Sequence, residues 1–368
     1  MANSGGMMAR WADDAPAEAS APRLAHPARA GAPPDLPQPY LLFLGDTVEA
    51  GYAKTAFGLR DWAEDRCVGE FALPTATVSA GLPRLSPHDA VARGARALVI
   101  GVANTGGFIA EAWVPALVEA LEAGLDIVSG MHARLEDVPE LRTAAAVHDR
   151  RLINVRQPPR AIPIASGRKR SGKRLLTVGT DCALGKKYTA LTLARAFENR
   201  GLDVDFRATG QTGILIAGGG IPMDAVVADF EAGAAEMLSP DADPHHWDVI
   251  EGQGSLFHPA YSAVSLGLLH GSQPDVFVVC HDPGRDRILG HEDYALPSIE
   301  EVIEATVLLG RRTNPEIRCG GISLNTSHLS QPEAERVLAE TEARLGLPVA
   351  DPVRGGPALE RLVLGCLA

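Results

Sequence analysis

The stretch Leu176-Thr177-Val178-Gly179-Thr180-Asp181-Cys182-Ala183-Leu184-Gly185-Lys186-Lys187-Tyr188-Thr189 decides the fold. An apolar run ends at Gly179, a glycine-flanked loop follows, and apolar residues then recur at helical spacing over about 186–199. Strand, loop and helix in that order wrap main-chain N–H groups around phosphate oxygens at a helix N-terminus, and a lysine adds positive charge. The pattern predicts a phosphate-binding loop over residues 179–187.

Working outward, short apolar runs at 204–206, 247–250, 276–279 and 321–324 read as further strands of the same domain. Upstream, runs at 40–45, 97–102, 125–129 and 152–156 alternate with helical spacing around 53–62 and 109–123. Strands alternating with helices predict an α/β protein with two parallel sheets, each covered on both faces. The expected organisation is a disordered tail rich in Ala, Pro and Arg at 1–37, a first domain at 38–160, a proline-broken and basic linker at 161–174, and the phosphate-loop domain at 175–368.

Composition narrows the function classes. The 368 residues exceed what one core comfortably holds. Lys plus Arg number 34 against 46 Asp plus Glu, a formal charge of −12, and no basic block rises above that background, so nucleic acid is not an expected partner. Five cysteines at 67, 182, 280, 319 and 366 form no CxxC pair, which predicts free thiols, no metal site and a reducing cytoplasm. No stretch is long and apolar enough to span a membrane.

Several other loops of the second domain carry chemistry. Trp247-Asp248-Val249-Ile250-Glu251-Gly252-Gln253-Gly254-Ser255-Leu256-Phe257-His258 is a strand opening into a glycine-rich loop with a carboxylate, a hydroxyl and an imidazole. At the C-terminal edge of a parallel sheet such a loop faces the ligand crevice, although Glu251 also reads as a structural partner of the loop. His258, His270 and His281 fall within 24 residues. His258, in the same loop as Ser255, is the expected proton acceptor, and His281, ending a strand before Asp282-Pro283-Gly284-Arg285, is expected near the substrate. Arg207, Gln211 and Thr212 offer donors for a substrate carboxylate, or form a plain glycine-rich connection. Asn325, after the last strand, reads either as a partner of a base edge or as a turn former. Asp224 and Asp229 read as solvated acids at helix starts, with a site role as the alternative.

The loop is one residue longer than the common phosphate-loop spacing, and it resembles the Gly-Thr-Asp-x-x-x-Gly-Lys loop of dethiobiotin synthetase and its relatives. Those enzymes place a threonine for magnesium where this chain has Lys187; Tyr188 and Thr189 carry the next hydroxyls. A second cation favours metal-free gripping of a diphosphate over Mg-ATP chemistry.

Together with Gly210-Gln211-Thr212-Gly213-Ile214-Leu215, Ile250-Glu251-Gly252-Gln253-Gly254 and Leu269-His270-Gly271-Ser272-Gln273, the loop resembles the family of D-glutamate (D-amino acid) N-acetyltransferases. The resemblance runs from about residue 40 to the C-terminus. It implies a Rossmann-like first domain and a P-loop NTPase-like second domain, with acetyl-CoA as co-substrate and the amine of a small D-amino acid, D-glutamate or a relative, as acceptor in D-amino acid catabolism. Under that reading residues 179–189 and Asn325 hold the cofactor, His258 and Glu251 act at the amine, and Arg207, Gln211, Thr212, Ser255 and His281 hold the amino acid. A homo-oligomer is expected. Two alternatives stand beside it: an ATP-dependent carboxylate-activating enzyme, with Glu251 and Asp224 on magnesium, and a nucleotide-binding protein without catalysis.

Overall fold

A computed structural model describes residues 36–368. The expected tail at 1–37 therefore lies outside the described residues except for Leu36 and Pro37. The chain divides into two compact units. One runs to Gln157 and takes in Ile214–Gly219, and the other holds Pro158–Gly213 and Gly220–Ala368.

The first unit alternates β1 (Tyr40–Phe43), α1 (Lys54–Ala63), β2 (Cys67–Phe71), α2 (Pro87–Ala92), β3 (Ala97–Ile100), α3 (Val114–Glu122), β4 (Asp126–Ser129), α4 (Pro139–Val147) and β5 (Leu152–Asn154). Its sheet is parallel, in the order β2-β1-β3-β4-β5. Strands β1, β3 and β4 are buried at every position, as they must be in a sheet covered on both faces. Phe43, Ile100 and Ile127 pack in one cluster with Trp113, Leu117 and Leu121. Strand β2 escapes a hydrophobicity reading because Glu70 sits in its middle, fully buried. The Glu70 carboxylate accepts from Ala80 N at 2.6 Å and pairs with Arg84 at 3.3 Å.

From residue 158 the order is β6 (Lys173–Gly179), α5 (Lys186–Glu198), β7 (Val204–Arg207), α6 (Gln211–Ala217), α7 (Glu231–Leu238), β8 (Trp247–Ile250), α8 (Ser262–Ser272), β9 (Val276–His281), β10 (Arg287–Ile288), β11 (His291–Ala295), α9 (Ile299–Gly310), β12 (Arg318–Leu324), α10 (Gln331–Leu345), β13 (Val349–Ala350) and α11 (Gly356–Leu367). Six strands form a parallel sheet in the order β13-β12-β9-β6-β8-β7, while β10 and β11 pair as a separate antiparallel hairpin. The expected strands are all present. The hairpin and the two-residue β13 were not expected: the hairpin is charged and exposed, and β13 is too short to show a period.

Residues 161–174, expected as a linker, belong to the second unit. Arg170 is buried there, donating to Ser239 O and Gly271 O at 2.7 Å each, and β6 already begins at Lys173.

The chain crosses from β6 to β7 and back to β8 on one side of the sheet, then places β9, β12 and β13 on the other. Strand β6 thus stands at the point where the order reverses, and ligands of open α/β sheets bind outside the carboxyl ends of the strands at that point. The phosphate loop begins there.

Candidate active site

The loop between β6 and α5 turns through two left-handed residues, Ala183 (φ 54°) and Gly185 (φ 104°), the second being the N-cap of α5. No side chain caps that helix, so its first N–H groups, which have no intrahelical acceptor, point into the loop. Lys186 is buried and its Nζ donates to Asp181 O at 2.7 Å, closing the loop on itself. Asp181 is fully buried: Oδ1 accepts from Cys182 N at 2.6 Å, and Oδ2 accepts from Arg285 Nη1 at 2.9 Å and Leu289 N at 2.8 Å. Arg285, which also donates to Cys182 O at 2.9 Å, escaped the sequence reading as a functional residue. Its signal was its place just after the end of β9.

The loop after β8 approaches β6 closely. A Cβ on Gly252 would lie 1.6 Å from Thr177 O, so only glycine fits, and Gly252 N donates to Thr177 Oγ1 at 2.9 Å. This contact brings Glu251, Ser255 and His258 to the edge that carries the phosphate loop. Ser255 Oγ donates to Thr180 O at 3.2 Å and ties the two loops together. Glu251 is buried, and its Oε2 accepts from Thr209 N at 3.0 Å and Gly210 N at 3.1 Å. Burial raises its pKa; the two main-chain donors and the Lys187 charge act against that shift. A buried carboxyl is harder to ionise than one in water, and it remains a candidate for proton exchange at this edge.

His258 is also buried. Its Nδ1 accepts from Ala260 N at 3.0 Å and Tyr261 N at 3.2 Å, which leaves the proton of the neutral ring on Nε2. That Nε2 has no hydrogen-bond partner and stands 3.8 Å from Asp181 Oδ1. Of the two ring nitrogens of His258, the expected proton acceptor, Nδ1 meets main-chain donors and Nε2 faces Asp181 of the phosphate loop. Burial lowers its pKa, the nearby Asp181 opposing.

Other expected site residues divide. His281 lies at the edge, its Nδ1 3.0 Å from Thr180 Oγ1, with a pKa pushed down to about 4 chiefly by burial. Asn325 Oδ1 accepts from Ser327 N at 3.2 Å. Thr189 Oγ1 donates to Gly185 O at 3.1 Å and lies 2.8 Å from Ser323 Oγ. Gln211 and Thr212 open α6, whose preceding residues hold Glu251. Lys187 lies 5.0 Å from the centre of the Tyr188 ring.

Arg207 ends β7. Its guanidinium pairs with Asp248 at 2.6 Å and Asp205 at 2.8 Å. Asp205 lies on the same strand and Asp248 on the neighbouring strand β8, so the guanidinium expected to grip a substrate carboxylate is held by two acids of the sheet.

Comparisons agree with this architecture. Residues 163–363 match the family model described as a domain of unknown function (DUF1611_C), P-loop domain, and residues 66–158 match the model for the DUF1611_N Rossmann-like domain. A protein of Tritonibacter scottomollicae named D-glutamate N-acetyltransferase is 51% identical over 318 residues, 86% of this chain and 96% of that protein. One of a Pseudoalteromonas species with the same name is 48% identical over the same shares. The crystal structure of a DUF1611 family protein from Anabaena variabilis superposes with a TM-score of 0.79 at 33% identity, covering 90% of this chain and 98% of that one. No helix among the described residues is long and apolar enough to cross a membrane. The chain thus belongs to the DUF1611 family, with relatives named D-glutamate N-acetyltransferase, and it is an acyltransferase enzyme.

Proposed function

We propose that the protein transfers the acetyl group of acetyl-CoA to the amine of D-glutamate or a related D-amino acid, a step of D-amino acid catabolism. The observation that carries this reading is the glycine-flanked loop, with Lys186 at its helix end, at the strand-order reversal of a chain half identical to two proteins so named. In the proposed reaction the phosphates of acetyl-CoA rest on residues 179–187, where helix N–H groups and lysine charge suit a diphosphate.

The amine attacks the thioester carbon, the C–S bond breaks, and the nitrogen's second proton passes to the departing sulfur, so coenzyme A leaves as the thiol. The attacking ammonium must first lose a proton, and Glu251 takes it. Acting as base, Glu251 must be ionised, so the rate is expected to fall on acidification through a pKa above the usual carboxylate range.

The test is acetyl transfer with purified protein, acetyl-CoA and D-glutamate in the absence of ATP, following product mass and free thiol. One thiol released per N-acetylated amino acid supports the reading. No product with any D-amino acid sinks it, and a requirement for ATP with ADP release replaces it with the carboxylate-activating alternative.

A further inference from the structure

His258 is the least explained polar group at this edge. It is 1% exposed, and its Nε2 finds no acceptor. A buried N–H without an acceptor is costly and uncommon in a native interior, which makes it a mark of a group kept for a ligand. The ring cannot turn to satisfy itself, because three elements fix it. Ala260 N and Tyr261 N hold Nδ1, the Tyr261 ring stacks on it at 4.5 Å with a 26° tilt, and the His291 ring of β11 meets it edge-on at 5.1 Å.

The groups that face it from the packed elements are Asp181 and Lys186 of the phosphate-loop segment, Tyr261 of its own loop and His291 of the hairpin. Asp181 Oδ1 stands 3.8 Å from Nε2, beyond hydrogen-bond reach, and the carboxylate already accepts from Cys182 N, Arg285 and Leu289 N. The hairpin is itself tied down to the loop through Leu289 N.

We propose that His258 works as a fixed hydrogen-bond donor, its Nε2–H meeting an anionic oxygen of the ligand held by the phosphate loop, and not as a proton acceptor. This inference rests on the reading of residues 179–187 as the binding site of acetyl-CoA. The oxygen belongs either to a phosphate of the ligand or to the thioester oxygen as it gains charge during attack. Both are the same chemistry, a neutral imidazole N–H presented to negative oxygen, and both require the tautomer that the main chain enforces.

The test compares His258→Gln, which keeps an N–H donor but cannot accept a proton near neutral pH, with His258→Leu, which has neither. Calorimetric titration with CoA and steady-state turnover of acetyl-CoA are measured for both, with Lys186→Ala as the control for the loop. The leucine variant is expected to lose about tenfold or more, and the glutamine variant to recover most of that loss. A loss in CoA affinity assigns the oxygen to a phosphate, and a loss in kcat at unchanged CoA affinity assigns it to the thioester; either result supports the proposal. A leucine variant that binds and turns over like the parent, or a glutamine variant as impaired as leucine, overturns it.

Loss of CoA affinity in Lys186→Ala with none of these effects at His258 would sink the histidine inference alone, whereas unchanged affinity in Lys186→Ala would sink the reading of the loop. Should the leucine variant fail to fold, nitrogen NMR of the parent protein decides. Protonated Nε2 and unprotonated Nδ1 near neutral pH, with the Nε2 signal moving on addition of CoA, support the proposal. The opposite tautomer overturns it.

Discussion

The two ends of the second unit's sheet each hold an acid–histidine cluster, and they are finished differently. At the end away from the phosphate loop, His246 bridges Asp203 at 2.9 Å and Asp248 at 3.1 Å, Arg207 pairs with Asp248 and Asp205, and Ser239 Oγ donates to Asp248 Oδ2 at 2.5 Å. Arg174, fully buried, donates to Ser239 Oγ at 2.6 Å and to main-chain oxygens around it. Positive and negative groups there match one another, so that cluster is a clasp for the strand starts.

At the loop end, Asp181, Cys182 and His258 bring ligand atoms within 4.8 Å of one another, yet the imidazole N–H stays unpartnered and the Glu251 carboxyl is held where burial disfavours its charge. Saturation marks the structural cluster, and incomplete satisfaction marks the working one.

The contrast is broken most sharply by Glu251→Gln. The amide keeps an oxygen for Thr209 N and Gly210 N but cannot take a proton, so kcat is expected to fall by about 10²- to 10⁴-fold while thermal stability at neutral pH holds or rises. The sign follows from the raised pKa: ionised Glu251 opposes folding above the ordinary carboxylate pKa, and glutamine removes that charge. Steady-state kinetics and a thermal melt check both halves.

At the other end, Asp248→Ala leaves His246, Arg207 and Ser239 short of a partner and is expected to cost about 3–5 kcal/mol of stability in denaturant unfolding, with the KM values of the surviving folded enzyme unchanged.

A smaller effect concerns pH. His246 has a pKa raised to about 9, first by its bond to Asp248 and also by Asp203, against the opposing effect of burial. A raised pKa means that the protonated ring stabilises the fold. The stabilisation is complete below the unfolded histidine pKa and is lost as pH rises through about 9, on the order of 2 kcal/mol. His246→Asn is expected to flatten that decline in unfolding midpoints measured across the range. The smallest effect is expected from Arg207→Leu, a loss of about 1–2 kcal/mol in stability with the KM for the amino acid unchanged. A large rise in KM would place Arg207 at the substrate.

Much of this was legible in the order of residues. The apolar run ending at Gly179, the left-handed Gly185 and the helix after it read directly as a phosphate loop, because strand, turn and helix each leave a local signal. The meeting of Glu251 and His258 with that loop also followed, since parallel strands deliver their exit loops to one edge.

What stayed hidden depended on partners distant in sequence. The tautomer of His258 is set by two main-chain N–H groups whose positions only the folded loop defines. Arg207 ends a strand and so looked available to ligand, but Asp205 lies two residues earlier on the same face and is paired in register with Asp248. The period of two in β7 held that information, and the identity of the neighbouring strand was needed to use it.

The most direct measurement is calorimetric titration of CoA into the parent protein, Lys186→Ala and, as a control from the clasp, His246→Asn. Binding should weaken by about ten- to a hundredfold in Lys186→Ala and remain within about twofold of the parent in His246→Asn. Equal affinity in the parent and Lys186→Ala would contradict the assignment of the phosphate loop as the site of the acyl donor.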